Sequence, residues 1–207
     1  MKRRLLIAAP LALAAPLLIA GCSSILERPY VERRQWPLMP RRVGVVKAPA
    51  NAPILVVRGL RAGPGLDVRG LQSLRADGSI EVGFYEEWLA PPAEAAEEAL
   101  RRWLADSGLY SAVVGAGSRL QGDHVLEGEL TGLWTIPPLG QAHAALGITV
   151  VSERGLSTRV LMQQSLSAEA PLSGTSPREA VAAQTEALAS VLAKVEGSLR
   201  AQLAQRR

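Results

Sequence analysis

The stretch HVLEGELTGLW, residues 124–134, decides the fold of this chain. Apolar or small residues fall on every second position, and Glu127, Glu129 and Thr131 fall between them. A period of two predicts a β-strand with one face on a core and the other on solvent. We expect the first set to share the core face: Leu126, Gly128, Leu130, Gly132 and Trp134.

Two further strand patterns follow this stretch. Residues 142–151 and 157–167 are predicted strands joined by the turn ERG at residues 153–155. Short connections of this kind join antiparallel neighbours, so the three strands form a predicted meander. The apolar connection IPPLG between the first two strands has two interpretations. We expect Ile136 and Leu139 to pack over the end of the sheet, and the alternative is an exposed contact site.

Upstream, the run ILVV at residues 54–57 is bounded by a proline and a glycine and predicts a buried strand. Residues 70–74 and 80–85 flank Asp77-Gly78, a pair that tolerates the positive φ of a tight turn. They therefore form a predicted antiparallel hairpin. A further short strand is predicted at residues 111–114.

Two helices complete the pattern. The first begins at Pro92, carries acidic residues early and arginines late, as the helix dipole favours, and ends at Gly108. The second begins with SPRE at residues 176–179, a capping box, and carries an apolar stripe. We expect its end to fray or project from about Ala201. These elements predict one domain of the α/β class.

The N-terminus has the pattern of an exported lipoprotein. Basic residues at positions 2–4 precede an apolar run of sixteen residues, and IAGC at residues 19–22 leads into the only cysteine. Small side chains fit a lipoprotein signal peptidase, and the cysteine thiol accepts a diacylglyceryl unit. We predict that Cys22 is lipidated, carries acyl chains such as palmitate and becomes the first residue of the mature protein.

A transmembrane helix is the alternative interpretation of the apolar run. Its sixteen residues include Pro10 and Pro16 and fall short of the roughly twenty that span a bilayer. The acyl chains of a lipoprotein anchor it stably, because each buried CH₂ contributes about 0.8 kcal/mol. Ser23 stands where aspartate retains many lipoproteins at the inner membrane. We therefore predict the periplasmic face of the cell outer membrane, with the inner membrane as the alternative.

The chain divides into a signal peptide at residues 1–21, a lipidated tether at 22–51 and the domain at 52–207. Prolines and arginines dominate the tether, which predicts an extended, solvated segment. Its arginines can also contact anionic head groups. We expect Tyr30 and Trp36 to dock on the domain, because isolated aromatic residues in a linker usually pack against another part of the protein.

The charge of the mature chain argues against nucleic-acid binding. Lys and Arg total 23, three of them in the signal peptide, against 19 Asp and Glu. The mature domain is therefore nearly neutral and lacks the basic stripe of proteins that bind nucleic acid.

The chain also lacks the residue patterns of catalysis. His124 and His143 start two antiparallel strands and have no further ligands at zinc spacing. Glu86 and Glu87 are adjacent on an extended segment, so they point apart and cannot share acid/base work. We predict no catalytic residue, metal site or cofactor, and a protein that is not an enzyme.

Residues 85–92, YEEWLAPP, resemble a segment of the ABC-transport auxiliary lipoproteins of the PqiC-like family. In that family a strand ends in a Trp-Ala-Glu-Pro-Leu-like segment before a helix, and Trp88 and Pro91 match it. LDVR at residues 66–69 is similar to the family's Leu-Asp-Arg-like run, and the alanine-rich residues 182–199 are similar to its closing helix. The resemblance implies a mixed, largely antiparallel sheet packed with two main helices, as in the anticodon-binding and TolB N-terminal folds.

The resemblance also implies a function. Such proteins are accessory components of ABC/MCE-type intermembrane lipid transport systems, in which they act as docking or adaptor modules. The implied partners are a mammalian-cell-entry (MCE) domain protein and an ABC permease and ATPase, and assembly into a homo-oligomer is left open. The alternative is an envelope-assembly or secretion-associated outer-membrane lipoprotein of similar fold.

Tyr85, Trp88 and Pro91 are the candidate partner-docking residues within the segment that carries the resemblance. In the structural interpretation, which we favour, Trp88 fills the gap between strand and helix and the prolines set the turn. In the functional interpretation, the two aromatic residues offer a docking or lipid head-group surface, since Tyr and Trp suit half-wet interfaces.

Overall fold

Two helices lie against one face of a mixed sheet in the computed structural model, which describes residues 31–153 and 158–205. The sheet has eight strands within these residues and is open at its edges. The elements in chain order are β1 Arg34–Trp36, β2 Ile54–Ala62, β3 Gly70–Leu74, β4 Ile80–Trp88, α1 Pro92–Asp106, β5 Ala112–Gly115, β6 His124–Ile136, β7 Gln141–Ser152, β8 Arg159–Pro171 and α2 Pro177–Ala204. The predicted α/β class, with a mixed sheet and two main helices, is confirmed.

The long strand β6 lies at the centre of the sheet. One side of it pairs antiparallel with β7, which pairs antiparallel with β8, and this confirms the meander. The other side pairs parallel with β2 and meets β3 at Thr135. Strand β2 carries β5 on its far side, and β3 forms the predicted hairpin with β4 around Gly78, whose φ is 85°.

A bulge in β6 changes the predicted alternation. The pairing with β7 shifts by one residue at Thr131, and such a shift reverses the faces of the residues that follow. Leu133 is therefore in the core, 1% exposed, whereas Trp134 is only half-buried and stacks on His143 with ring centroids 5.1 Å apart. The prediction that Gly132 and Trp134 share the core face with Leu126 is wrong for this reason.

The connection between β6 and β7 also differs from the prediction. Residues Pro137–Leu139 form a single 3₁₀ turn, and Gly140 closes it with φ 61°. The side chain of Leu139 is 66% exposed. The expectation that Leu139 packs over the end of the sheet is wrong, because the single turn leads straight into β7 and leaves that side chain in solvent.

The helices pack their apolar stripes on the sheet. Helix α1 packs on β2 and β5, and α2 packs on β7 and β8. Ser176 and Glu179 form the complete capping box that the sequence predicts for α2. The helix continues to Ala204, and Leu203 still packs against the core. The expectation that the helix frays or projects from about Ala201 is therefore wrong for residues 201–204. The largest fully buried aliphatic side chains include Leu55, Leu100, Leu104, Leu126, Leu130, Leu146, Leu188 and Leu192.

The folded unit spans Arg33–Arg207 and begins ahead of the predicted domain boundary at residue 52. Strand β1 supplies this earlier start, since it pairs in parallel with the end of β4. The predicted docking of Trp36 is confirmed, because its side chain packs against the core. Cys22, Tyr30, the predicted signal peptide and most of the predicted turn at residues 153–155 lie outside the described residues.

Candidate functional site

Glu86 and Glu87 fix β1 to β4. The Glu86 carboxylate accepts a hydrogen bond from Trp36 Nε1 at 2.7 Å and pairs with the Arg34 guanidinium at 2.7 Å. The Glu87 carboxylate accepts a hydrogen bond from Gln35 Nε2 at 2.8 Å. The two carboxylates bind different partners and together hold the start of the unit in place.

The structure does not bring the three candidate docking residues onto one surface. Trp88 is 1% exposed and belongs to the core cluster, while its backbone N–H donates to the Arg69 carbonyl oxygen at 2.7 Å. Pro91 is half-buried directly before α1, and Tyr85 is 43% exposed. The structural interpretation therefore fits Trp88, whose buried ring cannot contact a partner, and Tyr85 alone offers an exposed aromatic ring.

Tyr85 belongs to a group of exposed apolar side chains on one strand. We call Ile80, Val82, Phe84 and Tyr85 the β4 band; they are 43%, 47%, 65% and 43% exposed. The rings of Phe84 and Tyr85 meet edge to face with centroids 4.9 Å apart, and the Arg33 guanidinium lies 4.4 Å from the Phe84 centroid. Sequence reasoning missed this band, because Ile80, Val82 and Phe84 follow a period of two, which predicts a buried strand face, and no sequence signal shows that the core ends before β4 does.

A second cluster holds the segment after β1 against both helices. We call Arg42, Trp103, Glu196 and Arg200 the clamp. Arg42 donates two hydrogen bonds to the Glu196 carboxylate at 2.8 and 3.0 Å, and Trp103 Nε1 donates a third at 2.9 Å. Arg200 donates a fourth at 2.7 Å. Leu38 lies in the same segment and is buried, 4% exposed. The clamp therefore holds a segment that is itself part of the core.

The clamp changes the acidity of its central carboxyl. The hydrogen bond from Arg42 lowers the pKa of Glu196 to about 2, with smaller contributions from Arg200 and Trp103, although burial opposes the shift. Glu196 in turn raises the pKa of Arg42. The carboxyl is therefore an anion throughout the neutral range, and its charge is matched by two guanidinium groups.

The sheet face opposite the helices, which we call the open face, carries charged side chains and grooves. Arg58 pairs with Glu153 at 2.8 Å, and Arg61 pairs with Glu129 at 3.6 Å. A groove of about 440 Å³ is lined by Arg58 and Arg61, and a groove of about 800 Å³ is lined by Arg58 and Leu120. The two grooves therefore share Arg58, and Arg61 has 85% of its side chain exposed.

The histidines are not brought together. His124 and His143 lie at opposite ends of the ladder between β6 and β7. His143 Nδ1 lies 3.1 Å from a carboxylate oxygen of Glu169. Among residues 31–153 and 158–205, no three or more His, Cys, Asp or Glu side chains are arranged to hold a metal ion. In the same part of the chain, no helix combines the length and the apolar character needed to cross a membrane.

Comparisons with known proteins identify the family. No curated protein matches the chain. The crystal structure of protein XCC0632 from Xanthomonas campestris has 19% identity and a TM-score of 0.65, covering 84% of this chain and 95% of that chain. A crystal structure of an uncharacterized protein has 16% identity and a TM-score of 0.62, covering 81% of this chain and 97% of that chain. These likenesses show a shared fold.

The sequence match is more specific than the shared fold. The model of the family described as "ABC-type transport auxiliary lipoprotein component" matches residues 38–196. This span starts just after β1, includes both helices up to the clamp glutamate and covers well over half of the chain. It confirms the resemblance drawn from the sequence: the chain belongs to the family of ABC-type transport auxiliary lipoprotein components.

Proposed function

We propose that this protein is a membrane-anchored accessory component of an ABC/MCE-type intermembrane lipid transport system and acts there as a docking or adaptor module. The family match over residues 38–196 is the observation that carries the proposal. In this proposal its partners are an MCE-domain protein and the ABC permease and ATPase, and assembly into a homo-oligomer stays a prediction.

The proposed anchor is a lipid on Cys22. The basic residues, apolar run and IAGC sequence ahead of it support lipidation, and Ser23 supports the periplasmic face of the outer membrane over the inner membrane. In this proposal the folded unit that follows the anchor, Arg33–Arg207, works on the aqueous side of that membrane. An adaptor needs this arrangement, because its binding surfaces must reach proteins that cross the periplasm.

The open face supplies a surface for a protein partner in this proposal. The helices cover the other face of the sheet, so the open face is the large sheet surface left without a second layer in the described part of the chain. Arg58 and Arg61 line its grooves and pair with acidic residues that are themselves partly exposed. Exposed charges of both signs suit a polar interface, where they set the partner and the association rate more than the affinity.

Recovery of partners from solubilised envelopes tests this proposal. The tagged, full-length protein is expected to retain an MCE-domain protein and the ABC permease and ATPase. The Arg61→Glu variant is expected to retain at least about tenfold less, because like charges placed against each other at an interface cost several kcal/mol. The matched control is Arg178→Glu, an exposed arginine at the start of α2 that lies away from the open face.

The outcomes separate the alternatives. Loss of recovery with Arg61→Glu alone supports the open face as the partner surface, and equal recovery with both variants contradicts that assignment. Recovery with an outer-membrane assembly or secretion complex and no MCE protein would favour the alternative function. The Cys22→Ser variant tests the anchor separately: labelling with radioactive palmitate and sedimentation with envelopes are both expected to be lost.

A further inference from the structure

The β4 band lies on a free edge of the sheet. Strand β1 pairs with β4 only at residues 86–88, and within the described residues no other strand pairs with the outer side of residues 80–85. Natural proteins usually cover or charge such an edge, because exposed apolar strands invite association. This edge carries the exposed ion pair of Glu81 with Arg75, and beside it four large apolar side chains that are 43% to 65% exposed. The band is therefore an exposed apolar surface that is suited to contact with another molecule.

The start of the folded unit lies at this band. Arg33 is the first residue of the unit, and its guanidinium lies 4.4 Å from the centroid of the Phe84 ring. Eleven residues lead from Cys22 to Arg33. At about 3.6 Å per residue, a fully extended chain of this length spans at most about 40 Å. A lipid on Cys22 therefore keeps Arg33, and the Phe84 ring beside it, within about 40 Å of the lipid.

The contacts after Arg33 fix the next part of the predicted tether to the domain, so this part does not lengthen the connection between Cys22 and the domain. Glu86 and Glu87 bind the side chains of β1, and Arg42 donates two hydrogen bonds to Glu196 in the clamp. Residues 34–42 are thus fixed to the domain and add nothing to the reach of the anchor. The chain that leads from Cys22 therefore joins the domain beside the β4 band.

The chemistry of the band matches a lipid–water boundary. Ile80 and Val82 are aliphatic, Phe84 and Tyr85 form an aromatic pair, and Tyr85 adds a hydroxyl group. Aromatic side chains with a polar end favour the boundary between acyl chains and head groups. The Arg33 guanidinium beside the Phe84 ring adds a cation that attracts anionic lipids. A protein partner could also bury apolar side chains, but only the membrane is held next to the band by the covalent chain.

We propose that the β4 band contacts the head-group region of the membrane in which Cys22 is anchored. This inference rests on the lipidation of Cys22 in the proposed function and adds a second attachment point to it. Two points of attachment fix the orientation of the domain, whereas a lipid alone leaves it free to rotate. With the β4 edge on the lipid, the sheet stands on the membrane and its open face stays available to a protein partner.

Site-specific fluorescence on the intact lipoprotein tests the proposal. Cys22 is the only cysteine of the chain and its thiol is consumed by lipidation, so a Val82→Cys variant carries one reactive thiol. The lipidated variant is labelled with a polarity-sensitive fluorophore and reconstituted into vesicles of phosphatidylethanolamine and phosphatidylglycerol. The fluorophore is then exposed to a nitroxide-labelled lipid and, separately, to aqueous iodide.

Val160→Cys is the matched control. Val160 is also an exposed strand valine, 58% exposed, and it lies on β8 at the other edge of the sheet. Strands β4 and β8 are separated by three strands, which is about 19 Å across the sheet, and Val160 pairs with β7 at the end away from the hairpin of β3 and β4. The label at Val82→Cys is expected to be quenched by the nitroxide lipid at least about threefold more than the control, because interfacial side chains sit within about 10 Å of the acyl region. Iodide is expected to give the reverse order.

Three other outcomes overturn the proposal, and a fourth bears only on the proposed function. A Val82→Cys label as open to iodide as the control would mean that the band stays in water. A label shielded from both quenchers would mean that a second copy of the chain or another protein covers it. If the protein does not float with the vesicles, both the anchor and this inference fail. If it floats and the label contacts lipid, but no transport protein is recovered from envelopes, the proposed function alone fails.

Discussion

The clamp is expected to stabilise the fold, and the Glu196→Gln substitution tests its contribution. The Glu196 carboxylate is 12% exposed and accepts hydrogen bonds from Arg42, Trp103 and Arg200. The glutamine removes the charge and replaces one acceptor oxygen by an N–H donor that faces those donors. Arg42, 13% exposed, is left without its counter-charge. Removing one partner of a buried ion pair typically lowers the free energy of unfolding by about 3–5 kcal/mol.

The pKa shift gives a second route to the magnitude. The pKa of Glu196 falls from 4.5 to about 2 on folding, chiefly because of the hydrogen bond from Arg42. At about 1.4 kcal/mol per pKa unit, this shift corresponds to about 3 kcal/mol. Because the folded pKa is the lower one, this stability is fully present above pH 4.5 and is lost as the pH falls toward 2. We therefore expect Glu196→Gln to lower the free energy of unfolding by about 3 kcal/mol at pH 7.

Urea unfolding followed by tryptophan fluorescence measures this change on the chain from residue 23 onward. The difference between the wild-type protein and Glu196→Gln is expected to shrink as the pH is lowered through the range from 4.5 to 2. Glu98→Gln is the control, since its carboxylate is 44% exposed and its pairs with Arg101 and Arg102 lie on the surface. Exposed pairs contribute at most about 1 kcal/mol.

Hydrogen exchange provides a local check on the same variant. The backbone N–H of Val46 donates to the Asp106 carbonyl oxygen at 2.9 Å, four residues after Arg42. If the clamp holds this segment, Glu196→Gln will speed exchange at Val46 more than in the core strands. A loss below about 1 kcal/mol at pH 7, with a difference that does not change at low pH, would refute the reasoning, because the clamp would then behave as an exposed ion pair.

Three further predictions concern the core, the sheet and a helix start. Trp88→Ala is expected to cost about 3–5 kcal/mol in urea unfolding, because the ring is fully buried; a cost below about 1 kcal/mol would show that it is not a core residue. Gly128→Ala is expected to cost about 1–3 kcal/mol or more, since an added Cβ would collide with the backbone oxygen of Gly147. Gly117→Ala, with open space around it, is the control and should leave the midpoint unchanged. Ser176→Ala is expected to cost about 1 kcal/mol through loss of the capping box, and an unchanged thermal midpoint would contradict this.

The sequence alone determined both main helices, every strand except β1, and the family of this protein. Period-two alternation located β6, Asp77-Gly78 located the hairpin, and the capping box at Ser176 located the start of α2, because each of these signals is local and acts through neighbouring residues. The YEEWLAPP segment pointed to the family that the match over residues 38–196 confirms. The anchor at Cys22 stays a prediction of the sequence.

The tertiary structure decided which faces are buried and what the N-terminal segment does. A one-residue bulge in β6 turned Leu133 into the core and Trp134 to the opposite face, where it stacks on His143, and no local pattern marks where such a bulge falls. The clamp joins Arg42 to Glu196 across 154 positions of sequence, so only the packed fold brings these charges together. The β4 band is exposed for the same reason. Periodicity states that a strand has an apolar face, but the reach of the helices across the sheet decides whether anything covers it.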